Sequence, residues 1–348
     1  MDGAKEFDSR IGILTMAFKG WDRIEIETEQ GRREHAIAPV IVSASRSTDI
    51  PAFYAKWFRN RFEQKYCKWI NPFNRKAQYV SFDKTRFVVF WSKNPAPMAE
   101  YFPLLDEKGI GWYIQFTVND YKKEGFEPNV PGLDQRLETF ATLSEKWGKE
   151  RIIWRFDPLI LTDELGPEQL LERIAYIGER IHRYTEKLVI SFADISNYAK
   201  VKRNLKKFNV NWREFKQRHI EQIARGVDDL CQSWNLEGAT CGEVVDLSQY
   251  GISHNRCIDD ELIMKISGSD RDMAAFLSHE QGTLFPQKKH SLKDKGQRKE
   301  CGCIVSKDIG QYNTCEHLCA YCYANTSSTV VQKNRKLVSA ESETIILE

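Results

Sequence analysis

Residues 86–120, RFVVFWSKNPAPMAEYFPLLDEKGIGWYIQFTVND, contain a short apolar run, a polar cluster at its end, a helical stretch and a second apolar run ending in Asn119-Asp120. That unit recurs along the chain. The predicted strands are VIVSAS (Val40–Ser45), FVVFWS (Phe87–Ser92), WYIQFTV (Trp112–Val118), IIWRF (Ile152–Phe156), LVISFA (Leu188–Ala193), GATCGE (Gly238–Glu243) and CIVS (Cys303–Ser306). Near-continuous apolar runs mark strands buried on both faces, as in parallel sheets. Between them, apolar residues three and four apart predict amphipathic helices, as at Leu170, Ile174, Ile177 and Ile181, and at Phe215, Ile223, Val227, Leu230 and Trp234. Pro167 suits a first helical turn.

Strands alternating with helices, and no long hydrophilic linker, predict an α/β fold: a (β/α) barrel of TIM type over residues 39–330, with a doubly wound open sheet as the alternative. RIEIET, a turn at EQGRRE and a second extended run predict a β-hairpin extension in residues 1–38, and residues 331–348 read as a tail. Net charge is +2, from 51 basic and 49 acidic residues, so no global field points to nucleic acid or membrane. The polar N-terminus and the lack of an 18-residue apolar run predict a cytoplasmic chain with no membrane association.

Nine cysteines without an export signal suggest thiols kept for metals or catalysis. Cys67 and Cys231 stand apart and are expected to be packed, buried thiols, whereas the other seven all fall in the last third. Cys315, Cys319 and Cys322 lie in TCEHLCAYCYANT with spacing C-x3-C-x2-C. Three thiolates can hold three irons of a [4Fe–4S] cluster and leave the fourth open to a small ligand. A zinc site using His317 or a distant cysteine is the competing reading. Cys301 and Cys303, with Cys241 and Cys257, would complete the ligand set of a second [4Fe–4S] cluster or of an all-thiolate zinc site.

The C-x3-C-x2-C motif, with aromatic Tyr321 before its last cysteine, resembles the signature of radical S-adenosylmethionine (SAM) enzymes. That resemblance implies that the open iron docks SAM, that one electron from the cluster cleaves it to a 5′-deoxyadenosyl radical, and that a flavodoxin or ferredoxin donates the electron. In that family the motif follows the first barrel strand, whereas here it follows the last, so a circularly permuted barrel is expected. Val40–Ser45 would then be the next strand around, followed by Phe87, Trp112, Ile152 and Leu188. The family's glycine-rich stretch for the SAM amino group would follow Ala44, where SRSTD stands instead.

Over nearly its whole length the chain resembles the bacterial family called domain of unknown function 1848, through SASRSTDIPAFYAKWF, FWSKNP, FTVNDY, WRFDPL and SKDIGQYNTCEHLCAYCYAN. FTVND and WRFDPL are more loosely similar to spore photoproduct lyase, a radical SAM DNA-repair enzyme.

Barrel chemistry sits at strand C-termini. From that placement, Arg46, Asn119 and Arg155 are candidates for the SAM carboxylate and ribose, and Lys93, Asp157 and Glu243 for substrate or proton handling. Strand-end Asp49, Asp120, Asp157 and Asp194 also suit helix capping, a role closed to Lys93, Arg46 and Arg155. The substrate is not legible. A second class of function, a non-enzymatic iron–sulfur or zinc protein binding nucleic acid, rests on the basic stretches Lys288–Glu300 and Lys202–Lys207, which equally suit solvated surface. Trp57, Trp91, Trp112 and Trp154 are expected to pack in the core.

Overall fold

The computed structural model describes residues 18–278 and 292–346. In chain order the strands are β1 (Asp22–Glu27), β2 (Arg33–Ala38), β3 (Ile41–Ala44), β4 (Tyr66–Ile70), β5 (Ala77–Ser81), β6 (Phe87–Ser92), β7 (Gly111–Thr117), β8 (Ile152–Leu159), β9 (Leu161–Thr162), β10 (Lys187–Phe192), β11 (Trp212–Arg213), β12 (Glu237–Thr240), β13 (Ile252–His254) and β14 (Lys307–Asp308).

Eight of them form one sheet in the order β13-β12-β10-β8-β7-β6-β3-β14, and every neighbouring pair is parallel. The last strand in sequence thus lies beside β3, and the chain then proceeds strand by strand across the sheet. The large parallel sheet expected from the apolar runs is present. Among the described residues closure by strand pairing is not: β13 and β14 are the two edges.

Alternation divides the strand residues between two cores. Val88, Phe90, Trp112, Ile114, Phe116, Trp154 and Ile190 face the helices, which include Leu133–Trp147, Pro167–Ile181 and Gln217–Trp234. Leu170, Ile174, Ile177 and Ile181 are buried on one helix face, and Pro167 opens that helix, as their spacing predicted. Phe215 precedes its helix yet still packs on the core. On the opposite face Ile41, Phe87, Val89, Tyr113, Ile153, Val189 and Ala239 are covered by the apolar residues of the chain from Cys257 to Met273 and from Leu292 to Val305. Each fully buried Val, Ile or Phe contributes about 1.5–3 kcal/mol of hydrophobic stabilisation.

Two predicted strands need correction. CIVS is not a strand. Cys303 accepts from Asp294 N at 2.9 Å and Ile304 N donates to Ile258 O at 3.2 Å, so this segment spends its backbone groups on coil and its side chains on the sheet face. The strand forms four residues later, at Lys307–Asp308. GATCGE stops at Thr240, and the three-residue β13 follows it.

The expected hairpin is β1–β2, and it belongs to a second sheet, β1-β2-β5-β4. The C-terminal segment docks beside that sheet: Tyr66 donates to Glu343 Oε1 at 2.6 Å, Trp57 Nε1 to Ser342 O at 2.8 Å, and Ile345 is buried. Cys67 and Cys231 are buried thiols, as expected. Trp57, Trp112 and Trp154 are core residues, while Trp91 is half-buried beneath the Arg46 guanidinium, 4.9 Å from its ring centre. Among the described residues no helix is long and apolar enough to cross a membrane.

Candidate metal centre

β14 delivers the chain into the three-cysteine loop. Asn313 and Leu318 adopt left-handed backbone conformations there, folding the loop tightly over the strand ends. Neighbouring elements hold it by its carbonyls and amides. Tyr54 donates to Thr314 O at 2.8 Å, Asn129 Nδ2 to Glu316 O at 2.7 Å, Asn325 Nδ2 to Cys315 O at 2.7 Å, Asn204 Nδ2 to Cys322 O at 3.2 Å, and Ala320 N to Phe126 O at 2.8 Å.

Cys315, Cys319 and Cys322 are half-buried and close enough to feel one another's charge. Burial first, then repulsion by Cys322, pushes the Cys315 thiol up; burial raises Cys319 against the opposing Lys93, and burial also raises Cys322. Asn325 N donates to the Cys322 sulfur at 3.3 Å, and the backbone amides of His317 and Asp49 near Cys315, and of Ala324 near Cys322, partly offset the rise. Such N–H···S contacts stabilise cluster thiolates, so the donor set fits an iron–sulfur group. His317 is engaged elsewhere: Nε2 lies 2.8 Å from Asp49 Oδ2 and Nδ1 3.3 Å from Asn129 O. It is not free to be a fourth ligand.

Beside Cys319, Lys93 Nζ donates to Glu127 Oε1 at 2.8 Å and lies 5.4 Å from the centre of the Tyr321 ring. Tyr321 also donates to Glu127, and Asn119 Nδ2 reaches Glu127 Oε1 at 3.3 Å and Tyr321 Oη at 3.2 Å. Burial alone would raise the Glu127 carboxyl, but Lys93 and Arg136 outweigh it and bring it down to about 2. Asn119 Oδ1 accepts from Asp157 N at 2.9 Å. Asp157 in turn pairs with Arg155, its Oδ2 3.0 Å from Nε, and accepts from Ser191. Its carboxyl stays low because the guanidinium prevails over burial.

Glu243 accepts from Phe192 N at 2.9 Å, and burial pushes its carboxyl up to about 7. Arg46 follows β3. Its backbone N–H donates to Asp308 Oδ2 at 2.8 Å, and its Nη2 is buried without a partner. Ser43 and Gly310 also bind the Asp308 carboxylate, so SRSTD is organised by the end of β14. Asp49 caps a one-turn helix as anticipated, accepting from Ala52 N at 2.9 Å, but also receives Ser92 Oγ, Lys93 N and His317.

The other four cysteines meet on the opposite side of Arg155. Cys241 and Cys257 sulfurs are 3.2 Å apart, and the Cys303 sulfur, which accepts from Ile258 N at 3.4 Å, lies within electrostatic reach of Cys257 and Cys301. Because Cys303 does not open a strand, it reaches Cys257 freely. Among the described residues no three His, Cys, Asp or Glu are placed as ligands around one metal ion.

Glu127 and Gln115 were missed in the sequence. Glu127 lies in an aperiodic loop, and Gln115, which binds Arg155 Nη1 at 3.0 Å, looked like one polar residue in an apolar strand. Interruption of such a run was the available signal. Of the basic stretches, Lys202–Lys207 lies on the helix Ala199–Lys207 with its charged residues exposed, and residues 288–291 of the other lie outside the described residues.

No curated protein and no solved structure matches the chain. A family model does, over residues 41–324, a span from β3 through the three-cysteine loop, and on that match the chain belongs to the family described as Domain of unknown function (DUF1848).

Proposed function

We propose that the chain is a radical SAM-type enzyme whose catalytic [4Fe–4S] cluster is held by Cys315, Cys319 and Cys322. The observation that carries this reading is a loop that brings three thiols within electrostatic reach of one another, with a backbone N–H on the Cys322 sulfur, while the adjacent histidine is tied to Asp49 and Asn129. Such a donor set leaves one iron open, and when loaded it would supply one-electron cleavage of SAM. A flavodoxin- or ferredoxin-type protein would deliver the electron. We read the sheet as an incomplete, permuted β/α barrel with β14 as the cluster strand.

In this reading Lys93 and Glu127 fix the Tyr321 ring against the cluster loop and place the Lys93 ammonium, paired with Glu127, beside Cys319. Asn119, locked by Glu127, Tyr321 and Asp157, is a positioning residue. Arg46 faces Cys303 and Cys257, and Arg155 is already committed to Asp157, Gln115 and Cys257, so neither guanidinium is held in reserve for the SAM carboxylate. Lys93, Asp157 and Glu243 remain the candidates for substrate and proton handling.

The test is anaerobic reconstitution with iron and sulfide, then electron paramagnetic resonance of the dithionite-reduced protein with and without SAM. The expected result is a spectrum that shifts on adding SAM, with 5′-deoxyadenosine formed, both abolished in C315A, C319A and C322A. A loaded cluster indifferent to SAM overturns the reading. The second reading, a non-catalytic metal protein binding nucleic acid, draws on the exposed basic helix Ala199–Lys207, whose Asn204 touches Cys322 O. Salt-sensitive binding of single- or double-stranded nucleic acid by a SAM-indifferent protein would favour it.

A further inference from the structure

We infer that Cys241, Cys257, Cys301 and Cys303 form a second metal centre, an iron–sulfur cluster with all four ligands from protein. It is separate from the three-cysteine loop and stands whether or not SAM binds there.

Three chain segments far apart in sequence contribute. Cys241 follows β12, Cys257 follows β13, and Cys301 and Cys303 precede β14, yet the Cys241 and Cys257 sulfurs are 3.2 Å apart, and Ile258 N, next to Cys257, donates to the Cys303 sulfur at 3.4 Å. Cys257 and Cys303 are buried on the sheet face, while Cys241 and Cys301 are half-exposed at its margin.

Polar and charged donors reach two of the four sulfurs. Arg155 Nη1 donates to Cys257 Sγ at 3.1 Å, Asn255 Nδ2 to the same sulfur at 3.4 Å, and Ile258 N to Cys303 Sγ at 3.4 Å. Arg46 adds a second guanidinium facing Cys303 and Cys257, and its Nη2 is buried with no partner. Arg155 is paired with Asp157, but the buried Arg46 Nη2 has no partner, and a bound, net-negative centre would supply one. Metal binding would release the thiol protons.

Iron–sulfur is favoured over zinc by the Cys301-x-Cys303 spacing, shorter than the two to four intervening residues usual in zinc sites. With four protein ligands this centre keeps no open iron. Its chemistry is therefore electron transfer or structure, not SAM binding. Its position suits electron transfer, because Cys257, Arg155, Asp157, Asn119 and Tyr321 form one hydrogen-bonded series leading to the three-cysteine loop.

The experiment counts metal in anaerobically reconstituted full-length protein, using iron, sulfide and zinc analysis. Wild type is expected to hold about eight irons per chain, four for each cluster. The C315A/C319A/C322A variant should keep about half of that iron, with a reduced spectrum indifferent to SAM. The C301A/C303A variant should lose about half while retaining whatever SAM response wild type shows. Should C301A/C303A misfold by circular dichroism, the three-cysteine variant still decides. No iron in that variant, or about one zinc in its place, overturns the inference. A wild type that holds both clusters and ignores SAM would sink the proposed function and leave this centre standing.

Discussion

Glu127 carries more of the candidate site than any residue the sequence singled out. Its carboxylate is shared by Lys93, Tyr321 and Asn119, and its side chain is 3% exposed. Glu127→Gln keeps the shape and leaves the Lys93 ammonium, itself 15% exposed, without its counter-charge. Breaking a buried pair on one side costs about 3–5 kcal/mol, so the denaturation midpoint of this variant should fall clearly at pH 7. The pH dependence follows from the carboxyl being lowered from 4.5 to about 2 on folding. A group depressed in the native state stabilises fully above its unfolded pKa and loses that contribution as pH falls through its folded one. The difference between wild type and Glu127→Gln should therefore shrink between about pH 5 and pH 2. A difference constant over that range would show that Glu127 acts by packing alone. Nothing in the sequence announced this residue, because one acid in a glycine-containing loop acquires its role only when β6 and the cysteine loop arrive on either side. The cysteines, by contrast, were legible from thiol chemistry and spacing.

The same division holds for elements. Strands β3, β6, β7, β8 and β10 were legible because burial on both faces demands unbroken apolar runs, and the hairpin because alternation brackets a turn. β14 was misplaced because it has two polar residues and exists only through backbone pairing of Lys307 with Val42 and Asp308 with Ser43. Gly310 makes that pairing possible. A Cβ there would sit 1.8 Å from Ser45 Oγ and 2.5 Å from Ser45 Cβ, so only glycine lets the end of β14 pass the SRSTD loop. Gly310→Ala must push the two apart, with an overpacking cost of about 1–3 kcal/mol. Because the cysteine loop begins directly after this contact, iron retained by Cys315, Cys319 and Cys322 should fall along with thermal stability. Wild-type iron content in this variant would mean that the loop is positioned independently of β14.

At the scale of the whole molecule, the two edges of the eight-stranded sheet are brought together by coil rather than by strand pairing. Ile304 N donates to Ile258 O, and Cys241 and Cys257 from the β12–β13 edge meet Cys301 and Cys303 from the approach to β14. The closure expected of a barrel is not made by strand pairing at this seam among the described residues. Parallel strand order is written in apolar runs, whereas closure depends on two short edge strands and on contacts between residues some 45 positions apart. If the four cysteines hold a metal centre, binding energy is delivered to the seam and not to the central strands, which apolar burial already secures. Amide hydrogen exchange of reconstituted wild type against C301A/C303A tests this. Protection should drop in residues 252–258 and 301–308 of the variant and stay unchanged in β6, β7 and β8. Uniform loss across the sheet would mean that the cysteines support the fold globally, and unchanged protection at the seam would mean that the edges hold together without them.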